Sequence, residues 1–325
     1  MQRRTFVKSA LALGAASATA AWAQQRDKFP SKPIKFVVPF AAGGGGDLTA
    51  RMLALRVSER TGNPIVVENR VGAGGNIGAE FVMKSPPDGY TLLNMSSTYP
   101  IQAALNPRLG FDPVNDMQPI MMVARDPLLL MVNPASPLRS LKDMIDFAKK
   151  NPHKLTHGSA GVGSIAHLGM EEMAFMMGID LVHVPYKGSS QAFNDLLGNS
   201  VDLMLSSATF GAPYVKSGRV RALAVVGTKR GPSLPDVQTF TEAGFPDYQV
   251  VDWKAVAGPR GIPADVVAFL NAELNAAIKH KAVTDKFEAE GSTAVGGSPE
   301  QMMQIVRSDI ERWKTVAEKA KVKIE

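Results

Sequence analysis

Two glycine-rich stretches carry the groups in this chain best suited to holding an anion. Pro39-Phe40-Ala41-Ala42-Gly43-Gly44-Gly45-Gly46-Asp47 and Gly158-Ser159-Ala160-Gly161-Val162-Gly163-Ser164 each follow an apolar β-like run and open onto a helix-like segment. A strand that ends in such a loop presents unpaired backbone N–H groups and the positive end of a helix dipole to whatever lies in front of it. Two of these ends, more than a hundred residues apart, can close on one negatively charged small molecule from opposite sides. In the first loop, Gly43 to Gly46 remove four consecutive Cβ atoms, which opens φ > 0 and lets a ligand approach the amides. Asp47 is placed as the N-cap of a helix beginning at Leu48, its carboxylate within reach of the loop's own amides. A phosphate loop is a poorer reading, because no Gly-Lys-Ser/Thr follows and Asp47 repels phosphate. The second loop offers the Ser159 and Ser164 hydroxyls with the amides of Gly161 to Ser164, neutral donors that avoid burying an unpaired cation.

Other reactive patterns are thin. Ser164 and His167 stand one helical turn apart, which admits an exported hydrolase as an alternative, yet no G-x-S-x-G elbow surrounds the serine. His153, His157, His167, His183 and His280 have no metal-ligand spacing. Gly72, Gly74 and Gly78 miss the dinucleotide fingerprint by one residue and read as a packing or cleft-lining loop. Met170, Met173 and Met177 recur at helical intervals and read as core. Tyr186 and Lys187 follow a strand and can face a cleft.

The elements that must position these groups alternate. Ile34 to Val38, Ile65 to Glu68 and Tyr90 to Asn94 read as strands, with helices near Asp47 to Thr61 and Asn76 to Lys84 between them, a βαβαβ pattern and hence a parallel sheet covered by helices. Met117 to Val123 and Leu128 to Val132 read as two β-like runs flanking Arg125-Asp126-Pro127, at a crossing between lobes. A second series follows: helix Ser140 to Lys150, strand Leu155 to His157, helix Ser164 to Met177, strand Leu181 to Val184, helix Ser189 to Leu197, and strands Val201 to Leu205 and Arg221 to Val226. The chain returns through Val250 to Ala257 and ends in helices Pro263 to Lys279, Lys281 to Glu290 and Pro299 to Lys319. Two α/β lobes, 27–124 with 250–325 and 125–249, place a cleft beyond the carboxyl ends of the strands.

The first residues indicate a destination. Arg3-Arg4-Thr5-Phe6-Val7-Lys8, an uncharged Ala/Leu-rich stretch from Ser9 to Ala21 and the small-x-small site Ala21-Trp22-Ala23 read as an export signal over residues 1–23, resembling the twin-arginine type. The expected location is the periplasm. Cleavage leaves 325 − 23 = 302 residues and removes three cations, lowering the formal charge from +6 to +3. With no basic run, that charge gives no argument for nucleic acid. Cysteine is absent, so disulfides and thiolate catalysis are excluded and packed cores must supply stability.

Pro30 to Arg51, Val66 to Leu93, Gly161 to Gly188, VDLMLSS from Val201 and GRVRALAVVG up to Gly227 closely resemble the Bug family, extracytoplasmic solute receptors of tripartite tricarboxylate transporters. The likeness covers nearly all of the mature chain. It implies a type II periplasmic-binding-protein-like α/β fold of two lobes that closes on a small organic carboxylate and delivers it to membrane transporter subunits. It also implies no cofactor, no catalysis and a monomer. A sensor that presents its closed form to a membrane signalling protein uses the same cleft. By matching position, the ligand contacts are Phe40, Ala41, Ala42, Gly43, Gly44, Gly45 and Asp47 with Ser96, Ser97 and Thr98 from the first lobe. The second lobe contributes Ser159, Ala160, Gly161, Val162, Gly163, Ser164 and His167, then Tyr186, Lys187, Ser206 and Ser207. Ser206 stands where relatives often carry an acidic residue, which removes one partner for a cationic amine. Val71 replaces a frequent proline, and Lys254-Ala255 replaces a pattern with glycine. The ligand stays open among dicarboxylates, tricarboxylates, amino acids and aromatic acids.

Overall fold

In the computed structural model, which describes residues 29–320 and 322, the first apolar runs form parallel strands β1 (Ile34–Val38), β2 (Ile65–Asn69) and β3 (Thr91–Ser96). The export segment read at 1–23 lies outside the described residues. β1 is central, with Ile34 opposite Ile65 and Lys35 opposite Thr91. The connecting helices α1 (Gly45–Thr61) and α2 (Asn76–Met83) cover opposite faces, because alternate residues of a strand face opposite ways. Phe36 and Val38 pack with Leu53 and Val57 of α1, whereas Val37 packs with Ala79 and Val82 of α2. A helix absent from the sequence reading, α3 (Thr98–Leu105), leaves the end of β3.

The two runs expected around Pro127 are one strand, β4 (Met117–Val132), sixteen residues long. Pro127 does not break it, because it stands where the strand changes neighbours. Met117 to Pro127 pair with β9 (Val251–Pro259), and Leu128 to Val132 pair with β7 (Leu203–Ser207) and β8 (Arg221–Val225). The second series comprises α4 (Leu141–Lys150), β5 (Thr156–Ser159), α5 (Ile165–Met177), β6 (Val182–Pro185), α6 (Ser189–Leu197) and α7 (Ala208–Lys216). α7 was also unexpected: Gly211 and Pro213 lie inside it. The chain closes with α8 (Ala264–Ile278), α9 (Lys281–Glu290), β10 (Thr293–Gly296) and α10 (Pro299–Ala320). The resulting sheet runs β2-β1-β3-β9-β4-β7-β5-β6, with β8 and β10 also paired to β4.

Met170, Met173 and Met177 are buried with Leu130, Leu168 and Leu203, as their helical spacing implied. Trp313 of α10 joins that same core, and the neighbouring Arg312 donates to Glu172 of α5 at 3.0 Å. The closing helix therefore packs on the second α/β series while Met302 and Val306 pack on the first.

Candidate functional site

The first glycine loop differs from expectation in where its helix starts. α1 begins at Gly45, capped by the extended Gly44 with no side-chain bond, so Asp47 is in the first turn rather than at the N-cap. From there its Oδ2 accepts from the Gly43 amide at 3.0 Å and from Arg51 Nε at 2.9 Å, and its Oδ1 accepts from Asn69 Nδ2 at 2.9 Å. Burial pushes the carboxyl up, but the Arg51, Gly43 and Asn69 hydrogen bonds outweigh it and hold Asp47 below its ordinary pKa. The carboxylate thus braces the loop. Of the four glycines only Gly43 takes a positive φ, +80°. Gly45 is required for another reason: a Cβ there would lie 2.5 Å from Ser207 Oγ across the cleft, whereas one on Gly44 would make ordinary contacts at 3.7 Å or beyond.

The second loop is braced by neutral rings. Ser164 caps α5, its Oγ accepting from the His167 amide at 3.3 Å, and the Gly163 amide donates to His167 Nδ1 at 3.1 Å. His167 stacks on His183 with ring centroids 3.8 Å apart, and His183 Nε2 lies 2.6 Å from Ser159 Oγ. Burial is the main cause that lowers the His167 pKa to about 4 and that of His183 to about 3. A ring that accepts from an amide and resists protonation is a strut. It is not poised as a base toward Ser164, whose recorded bond is to the His167 backbone.

Both loops open on one cleft of about 650 Å³, its mouth included. Phe40, Ala41, Gly44, Gly45 and Asp47 line it from the first loop, with Ser96 and Thr98 beside them. Ala160 and Ser164 line it from the second loop, and Ser206 and Ser207 from the end of β7. Five helices begin there: α1 at Gly45, α3 at Thr98, α5 at Ile165, α6 at Ser189 and α7 behind its cap Ser207. Sequence reasoning anticipated ligand-facing helix starts only at the two glycine loops. The convergence of helix N-termini turns unpaired backbone N–H groups and the positive ends of several helix dipoles toward the cleft.

The remaining expected residues sit around the cleft, outside its lining. Ala42 and Gly43 are exposed at the loop tip, and the Ala42 carbonyl accepts from Ser190 Oγ at 3.0 Å. Ser97 is fully buried, its Oγ donating to Asp252 Oδ1 at 2.6 Å. Ser159, Gly163 and His167 stand behind the second loop as described. Gly161, Val162, Tyr186 and Lys187 line a neighbouring groove; there Gln102 Nε2 donates to the Val162 carbonyl at 2.9 Å and the Ala41 amide to the Lys187 carbonyl at 3.3 Å. The exposed Lys187 joins the loops through its main chain, and Tyr186 donates its hydroxyl to Asp195.

The floor was missed. Asn94, Asp252 and Lys254 line the cleft on β3 and β9. Lys254 Nζ, 2% exposed, donates to Asp126 Oδ2 at 2.6 Å and to Asp252 Oδ2 at 3.4 Å. Asp126 Oδ1 also accepts from the Thr209 amide at 3.1 Å and Ser292 Oγ at 2.8 Å. Burial pushes both carboxyls up; at Asp126 the ammonium and its bonds outweigh it, while Asp252 stays above its ordinary pKa. The buried ammonium is thus flanked by two carboxylates, of which Asp252 is the less readily ionised. The signal in the sequence was the charge alternation Asp252-Trp253-Lys254 inside an otherwise apolar strand. Among the described residues no group of three or more histidine or acidic side chains is placed to hold a metal ion, and no helix is long and apolar enough to cross a membrane.

This architecture is that of periplasmic binding proteins: the structure superposes on BugD with a TM-score of 0.88 at 34% identity, covering 91% of this chain and 100% of that one. The chain belongs to the family described as tripartite tricarboxylate transporter family receptor, whose model matches residues 49–322, and that family consists of solute-binding receptors. BugT of Bordetella pertussis is 36% identical over 92% of each chain, and a Pseudomonas sp. strain P51 protein from the tcbD-tcbE intergenic region is 39% identical over 96% of this chain and 92% of its own. Two Rhodopseudomonas palustris structures are also similar. One, solved with adipate, gives TM-score 0.88 at 36% identity over 91% of this chain and 99% of that one; the other, MatC with bound malate, gives 0.85 at 31% over 89% and 99%.

Proposed function

We propose that this receptor captures a small organic carboxylate in the periplasm and delivers it, unaltered and as a monomer, to membrane transporter subunits. Residues 27–124 with 250–325 act as one lobe and 125–249 as the other. The observation that carries the reading is the set of five helix N-termini facing one cleft. Each contributes roughly 0.3–1 kcal/mol toward a carboxylate, so tight binding needs both loops at once. The Ser164 and Ser207 hydroxyls and the Gly45 and Gly46 amides are the groups proposed to grip the carboxyl oxygens. Relatives solved with adipate and malate support the ligand class, and the export signal at the N-terminus supports the compartment.

The test is calorimetry and thermal shift on the mature protein against a panel of mono-, di- and tricarboxylates, with amines and sugars as controls. A carboxylate is expected to raise the melting temperature and bind with a stoichiometry of one, since a ligand of the folded form alone stabilises it. No response to any carboxylate, or hydrolysis of an ester on incubation, discards the proposal.

A further inference from the structure

The glycines at Gly72 to Gly75 do not line the cleft, yet they meet the second glycine loop from the other half of the chain. Gly74 stands at φ +61°, and a Cβ there would lie 2.4 Å from the Val162 carbonyl oxygen and 2.3 Å from Gln102 Nε2. Glycine leaves the space in which those two atoms bond, at 2.9 Å. Gln102 is 3% exposed, and its amide cannot turn round: Oε1 accepts from Asn76 Nδ2 at 2.8 Å and from Asn106 Nδ2 at 3.2 Å, while a flipped amide would set its oxygen against the Val162 carbonyl. Nε2 is thereby aimed across the boundary between 27–124 and 125–249. One turn earlier on α3, Thr98 Oγ1 accepts from the Ile165 amide at 3.1 Å. A single helix of the first half thus grips the second loop on both sides of Ser164. The Val162–Gly163 peptide is held at either end, its carbonyl by Gln102 and its N–H by His167 Nδ1 at 3.1 Å. Gln102 itself does not line the cleft, whereas Ala160 and Ser164 of the loop it holds do.

We propose that Gln102 is a positioning residue that fastens the second glycine loop to the first lobe, so that it governs how slowly a bound solute leaves and takes no part in which solute is chosen. A carboxylate gripped by Ser164 depends on where that hydroxyl and the α5 N-terminus stand, and Gln102 sets their place relative to the Gly45 and Gly46 amides. A solute leaves only when the lobes part, and parting breaks the Gln102 bond. Entry precedes the formation of that bond. The contact therefore acts on dissociation rather than association, and because it touches no solute atom its effect is the same for every solute.

This inference rests on the two-lobe carboxylate reading, and the experiment separates the two. Surface plasmon resonance on the immobilised mature protein measures association and dissociation of succinate, malate, adipate and citrate. Gln102→Glu still accepts from Asn76 and Asn106 but, ionised, offers no donor to Val162. At about pH 8 it is expected to speed dissociation about tenfold and to leave association within about twofold, by the same factor for each acid that binds. Gly74→Ala, which keeps Gln102 but puts a methyl between it and the carbonyl, is expected to do the same. A native dissociation rate in either variant overturns the assignment while the carboxylate reading stands, and a lowered melting temperature with native kinetics makes Gln102 a packing residue only. A factor that differs from one acid to another means that Gln102 meets the solute itself, and overturns the assignment likewise. If none of the acids binds, both readings fall.

Discussion

The two glycine loops meet the same cleft with the same tool, a helix N-terminus, yet they are braced by opposite chemistry. The loop at Gly43 to Gly46 is held by an ionised carboxylate with Arg51 behind it, and its cap, Gly44, has no side chain. The loop at Gly158 to Ser164 is held by uncharged histidines and capped by a serine hydroxyl. The first loop therefore depends on electrostatics that persist wherever Asp47 is ionised. The second depends on imidazoles staying neutral. The site proposed for an anion is thus framed on one side by a charged brace and on the other by an uncharged one.

The sharpest way to break this comparison is to fill the space that both loops share. Gly45→Leu is expected to weaken carboxylate binding by about a hundredfold, since overpacking costs roughly 1–3 kcal/mol, while Gly44→Ala, with room for its methyl, stays within about twofold. Equal tolerance at both positions in calorimetry would show that the halves do not approach as described. Removing the charge from the first brace comes next. Asp47→Asn loses hydrogen bonds to a charged group, each worth about 1.5–3 kcal/mol, and is expected to lower the melting temperature by several degrees and to weaken binding about tenfold; an unchanged affinity would mean that the loop holds its shape unaided.

The second brace is tested with acid. His167 and His183 have folded pKa values of about 4 and about 3, below the roughly 6.5 of an unfolded histidine. The unfolded chain then takes up protons first, so stability is full above pH 6.5 and declines as the pH falls toward 3. Thermal melts of His183→Phe, which keeps a stacked ring but no titrating nitrogen, should decline less steeply over that window than the native protein. A slope as steep as the native one assigns the acid loss elsewhere. The smallest effect on stability is expected at Ser164→Ala: loss of a helix cap costs about 1 kcal/mol, a drop in melting temperature of about 2–4 °C.

The same contrast shows what the chain makes legible. Both loops, the Ser164 cap and the core role of the α5 methionines follow from local pattern, because glycine runs, serine caps and helical spacing act within a few residues. The start of α1 was misplaced because Gly45 and Gly46 are poor helix formers whose places are set by space against Ser207 and Asn94 respectively. α3 and α7 were missed because Pro100, Pro213 and Gly211 read as breakers; Pro100 stands in the first turn of α3, where a proline forfeits little, whereas Pro213 lies inside α7. The histidine stack was hidden because His157 and His183 become neighbours only through the pairing of β5 with β6. Likewise the floor required knowing that Ser96 and Asp126 each face β9.

Strand β4 bears on how the molecule comes apart. Sixteen residues of unbroken backbone serve as a beam common to both halves, and α10 adds a second tie by seating Trp313 in the core that its amino-terminal turns do not touch. Neither half keeps a complete sheet if the other melts. Heating should therefore yield one calorimetric endotherm for the whole mature protein, and a nick introduced between α4 and α5 should lower that single transition without splitting it in two.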